Sequence, residues 1–478
     1  MTCMEAGQRR RSHPTQAHWV NDTHSGLNRT CVSRILEPRT VDDVIRAVRR
    51  SRSEGRSLVI AGGRHAMGGQ QFLSGGTVLD MRRLSRVRWF DEQRGLLEVE
   101  AGMQWPDVIR AYLTRPGGMH SPWGIRQKQT GADRLTIGGA VAANIHGRGL
   151  TAPPFIGDLE SLEVVTAEGE IVTCSRQRRP ELFRHLVGGY GLFGVVTAAT
   201  LRLTTRQQVE RVVELHDIEG LIETLRARVA AGALYGDLQF AIDPAHPSFL
   251  RTGILSCYVP TGELSPIPTR QRRLSQADWN RLIEWAHRDK TRAFTEFSSF
   301  YLATSGQRYW TDTHQLNLYL ESYHPALDRR LGCAARGGEM ITELYVPRER
   351  LSAFMDDVRH DFLCNPVDLI YGTIRLIEPD TESALPWARE AYACVVFNLH
   401  VDHQAGAIAR ARGAFIRLID HAIAHQGSYY LTYHRFARPD QLLMCHPGLP
   451  DWLAAKNRID PAHVFRSDWF QHLPGRAC

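Results

Sequence analysis

Apolar and polar positions follow two different periods along this chain, and the texture changes near residue 205. Within residues 41–50, Val41, Val44, Ile45, Ala47 and Val48 recur at the three- and four-residue spacing of one helical face. Thr40 stands before them as an N-cap, and Gly55 follows as a stop. Short β-branched or alternating runs predict strands at residues 59–61, 77–80 and 96–100. A helix is predicted over residues 105–113, broken by Arg115-Pro116-Gly117-Gly118. Residues 162–166 and 170–173, joined by Ala167-Glu168-Gly169, read as a hairpin. Residues 180–187 then read as a helix and 195–203 as a strand.

Beyond residue 205, amphipathic helices (222–230, 276–285, 348–362, 407–425) mix with strands (339–345, 367–377, 392–401). A basic, proline-containing loop occupies residues 266–273. This is the pattern of an α+β region on an antiparallel sheet. Residues 452–470 read as a helix and a short closing segment. Residues 1–36 show neither period and read as a loosely organised N-terminal arm.

A chain of 478 residues is long for one core, so two or three domains are expected. With 43% hydrophobic and 23% charged residues it resembles an ordinary globular protein. Net charge is +7, from 58 basic and 51 acidic residues. That favours anionic ligands in a general way. The basic residues are dispersed, with no zinc-finger or RNP-type pattern, so no nucleic-acid partner is expected.

Nine cysteines at wide spacing, with no C-x-x-C, argue against a disulfide framework or a thiolate zinc site. They fit a reducing, cytoplasmic compartment. No run of 18 apolar residues exists, so no transmembrane segment is expected. Met1 to Arg11 is polar and lacks the apolar core of a signal peptide, which leaves Asn28-Arg29-Thr30 a coincidental glycosylation pattern.

Three glycine clusters carry the candidate chemistry. In Val59-Ile60-Ala61-Gly62-Gly63-Arg64-His65-Ala66-Met67-Gly68-Gly69 a strand breaks into glycines around one histidine. Glycine permits positive φ and close approach to a ligand, and the N–H groups of such a turn converge on anions. In Thr136-Ile137-Gly138-Gly139-Ala140-Val141-Ala142-Ala143-Asn144-Ile145-His146-Gly147 a loop feeds a short small-residue helix, a second place where free N–H groups could meet phosphate. His146, just before a glycine, is expected near a ligand.

The third cluster, Gly189-Tyr190-Gly191-Leu192-Phe193-Gly194, spells G-x-G-x-x-G. The nicotinamide fingerprint requires a strand before it and a helix after it. Here the order is reversed, so a Rossmann domain is rejected. His421 and His425 lie one helical turn apart, but alanine stands where a zinc protease needs glutamate, and no metal site is expected.

Together, the three clusters resemble in order and spacing the vanillyl-alcohol oxidase / p-cresol methylhydroxylase (PCMH-type) family of FAD-dependent oxidoreductases. The resemblance covers residues 37–205 and, more weakly, 451–470. It implies an α+β fold with a two-part PCMH-type FAD-binding domain at 37–205. An α+β substrate (cap) domain on an antiparallel sheet follows at 206–425, and residues 426–478 return to the FAD-binding domain.

It also implies that Gly62, Gly63, Arg64, Ala66, Gly138 and Gly139 lie on the FAD pyrophosphate, with Val195 and Val196 beside the adenine or flavin. His65 matches the family's covalent attachment point, while Asp133-Arg134-Leu135 lacks the cysteine of doubly linked relatives. His434 aligns with a flavin-facing lysine of some relatives. Arg375 keeps the arginine of a Glu-x-Arg pair whose acid is here Thr373. Arg375 and His434 are therefore the catalytic candidates, and Asn398 and His400, which alternate on one strand, the substrate contacts.

The activity implied is oxidation of a CH–OH group of a polyol, sugar or other hydroxylated metabolite by hydride transfer to flavin N5. Reoxidation by oxygen or another acceptor follows. Oxidation of a C–N bond or ring, and a flavin-carrying electron-transfer subunit, are the alternatives.

Overall fold

The structure is a computed structural model that describes residues 18–114, 121–262, 264–317 and 323–475. Cys3, Cys478, the Arg9-Arg10-Arg11 run and the breaker at 115–118 lie outside the described residues. The helix Val41–Ser53 begins at Thr40, whose side chain accepts from the Asp43 N–H while Asp43 reaches back in a capping box. Its buried residues Val44, Ala47, Val48 and Ser51 repeat at helical spacing. The apolar ones pack on Leu58, Leu79, Val165 and Val195. Burial of each such aliphatic side chain contributes about 1.5–3 kcal/mol.

This core lies between two sheets. Three parallel strands run in the order Arg34–Leu36, Thr77–Asp80, Leu58–Ala61. Five antiparallel strands run in the order Ile171–Ser175, Leu159–Val165, Val195–Arg202, Leu96–Glu100, Val87–Asp91. The predicted hairpin is present, with Ile171 opposite Val165. The G-x-G-x-x-G turn falls between the helix Pro180–Leu186 and the strand Val195–Arg202, the order that excludes a nicotinamide fingerprint.

The later half builds one eight-stranded antiparallel sheet. Strand Tyr392–Asp402 runs between Gly337–Pro347 and Leu369–Ile377, with Glu339 opposite His400, Glu343 opposite Val396, and Arg375 opposite Cys394. The helices Leu351–Cys364 and Ala405–Ala424 lie against these strands. Met340, Leu344 and Val395 belong to the same core cluster as Phe354, Val358, Ala414 and Leu418 of those helices. Side chains on the opposite face of the strands are left to close a cavity.

The N-terminal arm corrects an expectation. Residues 18–36 are folded: His18–Val20 pairs with Thr30–Val32, and Arg34–Leu36 joins the parallel sheet. Buried Asp22 organises the loop between them. Its carboxylate accepts the N–H groups of His24, Ser25, Gly26 and Asn28 and the Asn28 amide. A loop tied by one carboxylate leaves no hydrophobic period, so pattern reading passes over it.

The closing segment also returns: the Leu58 N–H donates to Val464 O at 2.7 Å, and the Arg466 N–H to Leu58 O at 2.9 Å. The strand that carries the glycine turn is thereby completed from the far end of the chain.

Several histidines are held neutral by burial. His446 is pushed from 6.5 down to about 3, with the charge of Arg389 adding to the effect. A group with a depressed folded pKa takes up protons more readily in the unfolded chain, so stability is full above about pH 6.5 and falls as pH drops towards 3. The melting temperature should therefore decline steadily between pH 6.5 and 4. A His446→Phe variant should decline less steeply over that range in a pH series of thermal melts; an unchanged slope would exclude His446 as a contributor.

Candidate active site

A cavity of about 710 Å³ lies between the glycine turns and the free face of the large sheet. Its floor begins where the strand Leu58–Ala61 runs into Gly62 and Gly63. A Cβ on Gly62 would lie 2.1 Å from Thr136 Oγ1, and one on Gly63 would lie 2.4 Å from Arg134 O, so only glycine lets the turn close on the loop at 134–136.

Arg64 follows with φ of 60°, the left-handed region that non-glycine residues seldom adopt. It is held there from both ends. Its Nη2 donates to Asp80 Oδ2 at 2.9 Å, and its carbonyl accepts the Thr23 N–H at 3.1 Å. The N–H groups of Gly63, Arg64 and Ala66, which line the cavity, donate to no protein acceptor among the described residues. Unpaired donors around a left-handed residue form an anion-binding nest. A diphosphate fits this donor set.

His65 continues the same wall. Its Nδ1 lies 2.9 Å from Nε2 of His24, a residue of the folded N-terminal arm that also lines the cavity. Burial, helped by His24, pushes the His65 imidazole down to about 3. The ring is neutral at ordinary pH, the form that carries a nucleophilic lone pair.

Gly138 and Gly139 line the cavity from the first turn of the helix Ile137–Ala143. They do not offer the free N–H groups expected of them. Ile137 N–H donates to Met103 O, Gly138 N–H to Ala101 O, and Gly139 N–H to Thr136 Oγ1. These glycines supply space rather than donors, because the neighbouring strand end takes the helix-terminal N–H groups.

Gly189, Gly191 and Gly194 line the cavity as well. Buried Lys456 steadies their turn: its Nζ donates to Leu192 O at 2.7 Å and pairs with Asp460, which in turn accepts the N–H groups of Val464 and Phe465. Lys456→Ala should leave Asp460 buried and uncompensated, lowering stability by about 3–5 kcal/mol. Denaturant melts check this, and a loss below 1 kcal/mol would show that the pair is dispensable.

The opposite wall is the sheet face. Glu339, Ile341 and Glu343 point into the cavity from one strand, Tyr371 and Arg375 from the second, and Val396 and Asn398 from the strand between. Arg375 is 4% exposed, and its Nε and Nη1 make no hydrogen bond.

Glu343 is 1% exposed. Its Oε1 accepts from Tyr433 Oη at 2.7 Å, and its Oε2 from His146 Nε2 at 2.8 Å and Tyr345 Oη at 3.1 Å. Burial alone would raise its carboxyl, but His146, Arg375 and Tyr433 outweigh that and hold it at about 2. Glu343, on another strand than Arg375, is a buried carboxylate whose charge acts on that guanidinium.

The structure brings Gly62, Gly63, Arg64, His65, Ala66, Gly138, Gly139, Val196, Arg375 and Asn398 to one cavity, and leaves four expected residues off its lining. Val195 turns into the core by strand alternation while Val196 lines the cavity. His146 stands behind Glu343, and Ile145 takes the wall position. His400 sits behind the lining near Glu339. His434 turns away after the bend at residues 430–433 and stacks on Phe436 at 5.4 Å, so Tyr433 is the wall residue.

Glu343, Tyr433 and His24 were missed. For Glu343 a signal existed: Glu339 and Glu343 share one face of a strand otherwise rich in apolar residues.

An FAD-binding oxidoreductase is the class this fold and cavity define, and comparison with known proteins agrees. The FAD binding domain family matches residues 32–175. The chain is 31% identical over 469 residues to decaprenylphosphoryl-β-D-ribose oxidase of Mycolicibacterium smegmatis, covering 94% of this chain and 96% of that protein.

It is 36% identical over 184 residues to an uncharacterised oxidoreductase, ORF5 in the fasciation locus of Rhodococcoides fascians, spanning 40% of that protein's length. It is 32% identical over 197 residues to cytokinin dehydrogenase 6 of Oryza sativa subsp. japonica, spanning 35% of it. The chain belongs to the PCMH-type family of FAD-linked oxidoreductases. Among the described residues, no helix is long and apolar enough to cross a membrane.

Proposed function

We propose that this enzyme oxidises a CH–OH carbon of a polyol, sugar or similarly hydroxylated metabolite, with FAD attached covalently through His65. In this reading residues 37–205 and the returning 426–478 hold FAD, and residues 206–425 form the substrate-binding cap, in a cytoplasmic protein. When bound, FAD supplies the acceptor for the substrate's hydride, and oxygen or another acceptor later takes the electrons. The chain's own residues do the rest. The N–H groups of Gly63, Arg64 and Ala66 hold the diphosphate. The neutral His65 ring, oriented by His24 and by a hydrogen bond to the Arg134 backbone, is the attachment point.

Arg375 carries the catalytic argument. A buried guanidinium with unpaired donors facing a cavity is placed to stabilise negative charge on a substrate oxygen as its proton passes to solvent water. Glu343, held ionised, fixes the Tyr433 hydroxyl, whose oxygen accepts a hydrogen bond from the substrate hydroxyl. A carboxylate at about 2 is too weak a base to take that proton itself, so Glu343 is a charge anchor.

Similarity along nearly the whole chain to a protein named as a ribose oxidase supports a CH–OH substrate. Cytokinin dehydrogenase 4 of Oryza sativa subsp. japonica, one of the matches that motivate the C–N alternative, covers 46% of this chain. A cavity lined by acid, amide and guanidinium groups argues against a carrier without a substrate. Anaerobic bleaching of the flavin by a panel of polyols, sugars and secondary amines tests this. Bleaching by amines alone would transfer the activity to C–N oxidation, and bleaching only with a partner protein would make the chain a carrier.

A further inference from the structure

We infer that the chain binds a divalent cation of the zinc class through His287, Glu339 and His400, beside the same cavity. Glu339 and His400 are direct partners on adjacent strands, and His287 comes from the helix Gln276–Arg288 packed alongside. One ligand atom from each of the three lies within 4.8 Å of the others. Zinc takes nitrogen and carboxylate oxygen at about 2.0–2.2 Å, so closing on an ion needs shifts on the order of an ångström.

The donors are also in the right state. His287 Nδ1 faces Ile283 O at 2.9 Å, a bond to the backbone that holds the proton on Nδ1 and leaves Nε2 to bind a metal, and that buried Nε2 has no partner. Glu339 is 6% exposed; its Oε1 accepts from Tyr323 Oη, while its Oε2 has no partner. His400 Nδ1 is likewise buried and unpartnered. Unsatisfied buried polar atoms are costly and rare, and here each of three neighbouring residues carries one.

His324 is a fourth imidazole within reach. Its Nε2 is 3.8 Å from Glu339 Oε1, it is 7% exposed, and neither ring nitrogen makes a hydrogen bond. The nearby Lys290 does not compete, because its ammonium is bonded to Asp368, Ala286 O and Leu369 O. Because Glu339 and His324 also line the cavity, an open coordination position would face it and take water or a ligand oxygen.

The site does not depend on the flavin reading. Its test uses the flavin-containing protein, stripped with chelator and then dialysed against Zn²⁺. One equivalent of zinc should remain by elemental analysis, and Zn²⁺ should raise the melting temperature. Glu339→Gln and His400→Gln should each weaken zinc binding at least about a hundredfold, with flavin content unchanged. His421→Ala, on the helix Ala405–Ala424, should have no effect. No uptake by the unaltered protein, no zinc-dependent rise in its melting temperature, or uptake that survives both substitutions would overturn the site. The first two readouts need no variant, so a variant that fails to fold leaves the proposal testable.

Discussion

Replacing His65 by alanine should turn a protein whose yellow colour stays with the acid precipitate into one whose colour leaves with the supernatant. The effect is all-or-none, because a covalent bond either exists or does not. It rests on three features of the turn. His65 lines the cavity two residues after the first unpaired N–H, its ring is neutral, and the ring is oriented by His24 Nε2, 2.9 Å from its Nδ1, and by a hydrogen bond to the Arg134 backbone.

His24 is a positioning residue in this scheme. His24→Ala should slow attachment and leave a mixture of bound and released flavin, and His24→Gln should recover part of it. FAD should still bind non-covalently to His65→Ala, since the N–H groups of Gly63, Arg64 and Ala66 remain. Colour that washes out of the unaltered protein would end the covalent reading and keep the fold. Full covalent flavin in His24→Ala would remove the positioning role alone.

The second large effect belongs to Arg375. Arg375→Ala should slow substrate-dependent flavin reduction by about 10²–10³-fold, the loss seen when one donor to a developing oxyanion is removed. The loss should appear mainly in kcat, because the charge it meets develops as the substrate proton leaves. Arg375→Lys should recover part of the rate, as a point charge without the planar fork.

The substitution also removes one of the charges that hold the buried Glu343 carboxylate ionised, so the melting temperature should fall. Rapid-mixing reduction and a thermal melt of the same sample separate the two effects. Reduction at the original rate in a folded Arg375→Ala protein would exclude the role. Glu343→Gln should be milder in rate, because it loosens Tyr433 without removing the cation.

Much of this was legible in the chain. The helix at 41–53 announced itself by Thr40, the spacing of Val44, Ala47 and Val48, and Gly55, all local signals that reach no further than one helical turn. The three glycine clusters were legible because close backbone approach and positive φ restrict the residue type at the position itself. Arg375 was reached through the family resemblance and Asn398 through strand alternation, which also pointed to His400, a residue off the lining.

What was misread depended on which way a side chain leaves a bend. After the turn at residues 430–433, one position separates a wall residue, Tyr433, from a buried one, His434, and no periodicity operates through a bend. Val195 and Val196 differ in the same way, by the phase of a strand that pairing sets.

The sequence by itself determined the elements, the α+β class and the resemblance to an FAD-linked oxidoreductase, because helix caps, strand periods and glycine turns are short-range physics. Tertiary structure alone decided that an N-terminal loop reaches the flavin turn through His24. It also decided that the charges of Glu343 and Arg375 act on each other from two strands of one sheet, and that His287, Glu339 and His400 meet. Those contacts join residues 32 to more than 100 positions apart. What brings them together is the burial of apolar faces and the pairing of strands, which carry no mark in the local pattern of any one of the residues.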